Sequence, residues 1–203
     1  VYHLVTFLFR VLFSVGFRVR VTGRENVPSS GPLIICANHV SWLDPPLVAV
    51  VMPRQVHFVA KEELFGYPVI GWVLTRSGVI PVRRGQSDRR MIRESIRVLR
   101  SEESLGLFPE GTRQRTRQLA RFAHGAAYLA VKCDTPVLPV GVSGEYGFLS
   151  TIRVRIGEPV SVVDAGEEAD GRAARRENLD RITEAVRGQI EVLCDDSTDD
   201  SVR

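Results

Sequence analysis

Three observations predict an α/β fold: a single domain with a mixed central sheet flanked by helices. Short apolar or alternating runs, strand-like in length, recur along the chain, and most are separated by helix-patterned segments. The 203 residues suit one domain with a substantial core. Neither an internal repeat nor a long linker interrupts the alternation. The composition, 44% hydrophobic and 25% charged, is that of an ordinary globular protein and excludes a disordered or fibrous chain.

In order, residues 1–17 carry a helical stripe of Val1, Leu4, Val5, Leu8, Val11, Leu12 and Val15 at three- and four-residue spacing. Phe7, Phe9, Phe13 and Phe17 widen the stripe, and Arg10 interrupts it. The run is too short and too charged for a membrane span, and it has no basic start or small-residue cleavage site. Two placements fit it: a helix packed on the sheet, or an amphipathic helix lying in the membrane interface, which is the expectation adopted. Arg18–Thr22 alternates as an edge strand, and Gly23–Gly31 is a turn-rich connection. Pro32–Ala37 reads as a short strand apolar on both faces. Asp44-Pro45-Pro46 reads as a helix start, with Asp44 as a carboxylate N-cap.

Further strands are expected at Val56–Ala60, Gly78–Val82, Leu105–Phe108, Val137–Val142 and Ile152–Ile156. Glu62–Thr75 is irregularly helical because Gly66, Pro68 and Gly71 punctuate it. Ser87–Arg100, Gly125–Cys133 and Asn178–Leu193 read as helices, the first burying Met91, Ile92, Ile96 and Leu99. Pro139, inside an apolar strand, suggests an edge or a bulge. The resulting organisation is an interfacial helix over 1–17, an α/β domain over 18–194 and an acidic, flexible tail over 195–203.

The net charge of +3 hides an asymmetry. Residues 76–121 hold twelve arginines against five acids, while residues 158–200 hold thirteen acids against five arginines. Such a basic region suits nucleic acid, anionic lipid or a phosphorylated substrate. No nucleic-acid recognition motif is present, so nucleic acid is not an expected partner. The only lysines are Lys61 and Lys132. Cys36, Cys133 and Cys194 lack metal-ligand spacing, Cys36 and Cys133 read as small buried side chains, and a reducing, cytoplasmic setting fits.

The chemistry concentrates at strand ends. In Asn38-His39-Val40-Ser41-Trp42-Leu43-Asp44, an imidazole and a carboxylate flank a sharp corner. On one continuous helix, residues five apart would point about 140° apart. At a strand–turn–helix corner they can converge, and a carboxylate beside histidine fixes its tautomer and stabilises the imidazolium of a general base. Phe108-Pro109-Glu110-Gly111-Thr112-Arg113 ends another strand with a carboxylate, a hydroxyl and a guanidinium around a glycine turn, a pattern suited to holding an anion. Gly78–Arg84 ends a third strand in paired arginines. Ser41 lies in no nucleophile elbow and is too close in sequence to His39 to serve as its partner.

Taken in order, these blocks resemble the glycerolipid acyltransferase family typified by bacterial 1-acylglycerol-3-phosphate acyltransferase. Its NHxxxxD, glycine-and-arginine, FPEGTR and proline-containing apolar blocks match Asn38–Asp44, Gly78–Arg83, Phe108–Arg113 and Val137–Val140. The resemblance implies that His39 is the base and Asp44 its orienter. It implies that Arg83, Glu110, Gly111, Thr112 and Arg113 position the acceptor and its phosphate, and that Pro139 lies near the acyl donor or is structural. The implied reaction moves a fatty acyl group from acyl-CoA or acyl-carrier protein to the free hydroxyl of a lysophospholipid, foremost 1-acylglycerol-3-phosphate. No metal or resident cofactor is expected, and the implied location is the cytoplasmic face of the cell membrane, peripheral or monotopic. The alternatives are another lysolipid or glycolipid acceptor, an acyl-CoA thioesterase, and a non-catalytic membrane-binding module. One departure stands out: family members often carry Phe-Lys-Lys-Gly after FPEGTR, and this chain has Phe122-Ala123-His124-Gly125.

Overall fold

Side-chain alternation along the strands divides the core into two layers, one on each face of the sheet. The structure, a computed structural model, describes residues 1–83, 88–112, 119–162 and 172–195. Its strands are β1 (Arg18–Thr22), β2 (Leu33–Ala37), β3 (Val56–Lys61), β4 (Ile80–Val82), β5 (Ser104–Leu107), β6 (Val137–Gly144) and β7 (Thr151–Ile156). Its helices are α1 (Tyr2–Gly16), α2 (Asp44–Val51), α3 (Pro68–Arg76), α4 (Arg89–Arg100), α5 (Gly125–Cys133) and α6 (Arg172–Cys194). Along β2, Leu33, Ile35 and Ala37 face α1 and α2, where Phe13, Leu47, Val48 and Met52 complete one layer. Ile34 and Cys36 face α4, α5 and α6, packing in a second layer with Leu99, Leu129, Ile182 and Ile190. Every residue of β2 is buried, as a central strand covered on both faces requires.

The seven strands form one mixed sheet in the order β1-β7-β6-β2-β5-β3-β4. The β6–β7 pair is antiparallel and all other pairs are parallel. The carboxyl ends of β6, β2, β5, β3 and β4 therefore lie along one edge, where open α/β sheets bind ligands. β1 is the edge strand its alternation indicates. α6 begins six residues before the expected Asn178. Asp88 caps α4, its carboxylate accepting from the amides of Arg90 and Met91.

Three expectations change. Pro139 lies on an interior strand, paired with Cys36 of β2 on one side. Its carbonyl accepts from Gly157 N at 2.9 Å, just past the end of β7, and its missing N–H points to that same side. The reciprocal bond of that pair is missing, and pairing resumes at Val137–Val160 one residue out of register, so the edge is ruled out and the proline sits at a bulge in the β6–β7 ladder. Asp44 is the first residue of α2, not its cap: Leu43 holds the cap position, and no side chain caps this helix. Cys133 is half-buried rather than fully enclosed, whereas Cys36 is buried as expected.

α1 combines its two candidate placements. Phe13 is buried, and Phe9 and Phe17 pack against the same layer. Leu4, Phe7, Leu8 and Val15 point outward, at 58–66% exposure. Apolar residues thus occupy both the packed and the open sides of the helix. Its 15 residues would reach about 22 Å, short of a hydrocarbon core of about 30 Å. Among the described residues, no helix is long and apolar enough to cross a membrane. Of the expected tail over 195–203, residues 196–203 lie outside the described residues.

α6 sits directly on the backbone of β6. A Cβ on Gly141 would stand 2.5 Å from Leu193 Cβ and 2.7 Å from its carbonyl carbon. Gly141→Ala should therefore push the helix off the sheet and lower unfolding free energy by about 1–3 kcal/mol, measured by urea denaturation.

Candidate active site

Four hydrogen bonds converge on one buried carboxylate. Asp44 has no solvent exposure. Its Oδ2 accepts from His39 Nδ1 at 2.9 Å and from the backbone amides of Val40 and Ser41, each at 2.7 Å. Its Oδ1 accepts from the Tyr146 hydroxyl at 2.5 Å. A buried carboxylate stays charged only with such donors, and here three of the four come from the corner that follows β2. The carboxylate that looked like a helix cap is thus turned back onto the turn carrying His39. The five-residue separation becomes a direct contact because the chain bends between the two side chains.

Asn38 fixes the start of that turn. It is buried, its Nδ2 donates to Val142 O at 2.8 Å, and its Oδ1 accepts from Val142 N at 2.7 Å. The side-chain amide extends the β2–β6 pairing past its last rung, Ala37 opposite Val140. With Nδ1 held by Asp44, His39 keeps Nε2 for chemistry, and the residue lines the main cavity. The imidazole stacks on Phe108 with centroids 4.4 Å apart, and Phe58 backs Phe108 in turn.

Because β5 is paired with β2, the Phe108–Thr112 turn lands beside His39. Glu110 Oε1 accepts from the His39 backbone amide at 2.9 Å, so this carboxylate braces the corner. Gly111 turns at φ +69, in the left-handed region that glycine enters without strain, and its amide donates to Phe108 O. Gly111 and Thr112 are exposed and line the cavity with His39. Arg113 lies outside the described residues.

Arg83 is elsewhere. It follows β4, three strand positions from β2, a separation of roughly 14 Å at about 4.8 Å per strand. Its exposed guanidinium donates to Glu62, and its amide donates to Asp88. It is absent from the cavity wall, as is Pro139 in the interior of β6.

The cavity holds about 1240 Å³ and is walled mainly by apolar side chains of α1, α2, α3 and the sheet, including Val5, Phe9, Ala49, Ile70 and Val73. This exceeds the usual range of small-molecule pockets, about 300–1,000 Å³, and suits a long apolar chain. Two lining residues escaped the sequence reading. Lys61, at the end of β3, is the only lysine or arginine among the described residues of the wall. His124 joins the wall because Ala123 N donates to Pro109 O, drawing its segment alongside the Glu110 turn. Tyr146 also escaped notice: it lies 102 residues from Asp44, with no local signal. Lys61 had one, its position at the carboxyl end of a strand.

Readings that make Ser41 or Cys36 a hydrolase nucleophile find no support in this geometry. Ser41 Oγ accepts from Leu43 N, and the near side of the imidazole belongs to Asp44. Burial pushes the Cys36 thiol up to about 12, which makes it a poor nucleophile.

An open α/β sheet with a histidine–aspartate pair above a long apolar cavity defines an acyl-transfer scaffold. The chain belongs to the Acyltransferase family, whose model matches residues 18–143, and it is an O-acyltransferase. It is 30% identical over 190 residues to the 1-acyl-sn-glycerol-3-phosphate acyltransferase of Bacillus subtilis, covering 91% of this chain and 92% of that one. A lyso-ornithine lipid O-acyltransferase of Pseudomonas aeruginosa is 33% identical over 137 residues, covering 67% of this chain and 50% of the relative. The crystal structure of the 1-acyl-sn-glycerophosphate (LPA) acyltransferase PlsC from Thermotoga maritima superposes with a TM-score of 0.70 at 27% identity, covering 93% of this chain and 79% of that one.

Burial raises the Glu110 carboxyl above its ordinary 4.5, against the opposing amides of His39 and Ala120. The folded state therefore holds this proton more tightly than the unfolded chain. The stability it contributes is complete below the unfolded value, about pH 4, and is lost as pH rises through the native one. Glu110→Gln keeps an oxygen for the His39 amide and never ionises. Urea denaturation should find the variant more stable than wild type at pH 7, with the gap closing toward pH 4.

Proposed function

We propose that the protein transfers a fatty acyl group from a thioester, acyl-CoA or acyl-carrier protein, to the free hydroxyl of 1-acylglycerol-3-phosphate, giving phosphatidic acid. The observation that carries this reading is the His39–Asp44 pair opening onto the long apolar cavity beside the Glu110 turn. His39 Nε2 takes the hydroxyl proton as the oxygen attacks the thioester carbonyl. The tetrahedral intermediate collapses, the C–S bond breaks, and the imidazolium returns the proton to the departing thiolate. Asp44 holds the tautomer and stabilises the imidazolium. No acyl-enzyme is required, because the thioester arrives activated. Glu110 supports the reacting corner, Gly111 and Thr112 border the acceptor, and Lys61 and Arg113 are the cations assigned to its phosphate.

His39→Ala should lower turnover by about 10²–10⁴-fold with the fold intact, read by product analysis with acyl-CoA and a panel of lysolipids. A near-wild-type rate overturns the base. Thiol release without acceptor, and without a diacyl product, makes the protein a thioesterase. One observation favours keeping a second acceptor class in that panel: the lysines of Phe-Lys-Lys-Gly are replaced here by Ala123 and His124. Lyso-ornithine lipid is therefore included beside lysophosphatidate.

The same reading places the protein peripherally on the cytoplasmic face of the cell membrane. Its support is the exposed apolar side of α1, joined by Val69, Ile70 and Trp72 of α3 at 75%, 48% and 54% exposure, since both helices also line the cavity. Leu8→Ser combined with Val15→Ser should weaken co-sedimentation with anionic liposomes by tenfold or more, on the order of 1.5–3 kcal/mol per buried side chain. Unchanged sedimentation removes α1 from the membrane. Deleting the whole helix is a poorer test, because Phe13 belongs to the core.

A further inference from the structure

We infer that Tyr146 is a positioning residue of the acyl-transfer site, acting on His39 through Asp44. The inference rests on the proposed role of His39 as base. Three donors crowd Asp44 Oδ2, all from within five residues of it: His39 Nδ1 and the amides of Val40 and Ser41. Among the described residues, Tyr146 is the one donor to Oδ1. A carboxylate can rotate about its Cβ–Cγ bond. Holding the second oxygen from the opposite side fixes the plane in which Oδ2 meets the imidazole.

The tyrosine is itself held by parts of the chain remote from the dyad. It sits in the connection between β6 and β7, two residues after Gly144, which turns at φ +103. That connection is tied to the end of α1: Leu149 N donates to Gly16 O at 2.7 Å, and Arg18 N donates to Ser150 O at 2.9 Å. The ring meets Phe17 edge-on with centroids 5.9 Å apart. Burial, and then the charge of Asp44, push the phenol well above its ordinary value, so it remains a donor throughout the working pH range. The hydroxyl also draws negative charge from the carboxylate. Its removal leaves Asp44 a stronger partner for the imidazolium and makes His39 harder to deprotonate.

Tyr146→Phe keeps the ring on Phe17 and removes only the hydroxyl. Steady-state kinetics per folded molecule, with acyl-CoA and lysophosphatidate, should show kcat lower by ten- to a hundredfold and both KM values within about twofold, the loss expected for a hydrogen bond to a charged group. The acid limb of the pH–kcat profile should move to higher pH. In an Asp44→Asn background the same change should cost less than twofold, because the path through Asp44 is already cut. A kcat within twofold of wild type, an unmoved acid limb, or a double-variant loss equal to the product of the singles overturns the inference. His39→Ala measured alongside separates the two readings. If it is active, the base assignment falls; if it is inactive while Tyr146→Phe matches wild type, only the role of Tyr146 falls.

Discussion

The structure around the site depends on keeping one carboxylate charged where water does not reach it. Asp44 is fully buried, and an unpaired charge there would cost several kcal/mol. Its compensation comes from His39, the turn at Val40 and Ser41, and Tyr146. The demand for those donors shapes the corner after β2. It curls the chain back over its own helix start and leaves α2 without a side-chain cap. It also orients the imidazole, because Nδ1 must face the carboxylate and Nε2 must therefore face away.

Sheet order then decides what else the imidazole meets. β5 and β6 flank β2, so the Glu110 turn and the strand leading to Tyr146 both reach the dyad, while β4 stands three places off. Glu110 and Asn38 act as mirror braces on the corner. One ties it to the β5 turn through the His39 amide, and the other ties it to β6 through both backbone groups of Val142. The aromatic stack of His39 on Phe108 and Phe58 fills the space between the corner and the apolar cavity. Charge and apolar volume therefore meet at one ring, as the proposed reaction between a polar hydroxyl and a fatty thioester requires.

The cation inventory changed most between sequence and structure. Arg83 ends a strand on the correct edge, but Glu62 and Asp88 engage it far from His39. Lys61 ends the neighbouring strand and reaches the wall of the cavity. Nothing local separates these two residues, since both are basic groups at strand ends. Only the lateral order of β5, β3 and β4 tells them apart. Likewise, the phenylalanines of α1 share a helical pattern, yet Phe13 faces the core and Phe7 faces outward.

What the sequence determined by itself is local. Hydrophobic periodicity located the elements, because a strand buried on both faces and a helix buried on one leave different spacings. Residue chemistry at two strand ends was specific enough to name the His39–Asp44 pair and the Glu110–Gly111 turn. The tertiary structure alone decided which strand ends become neighbours, and with that the positions of Tyr146, Asn38 and Lys61 relative to the dyad. It also moved Pro139 from an expected edge to the interior, beside the one-residue register shift that interrupts the β6–β7 ladder. The physical reason is common to all four residues. Their partners are far away in the chain, and strand order and register are set by packing across the whole sheet rather than by any local run of residues.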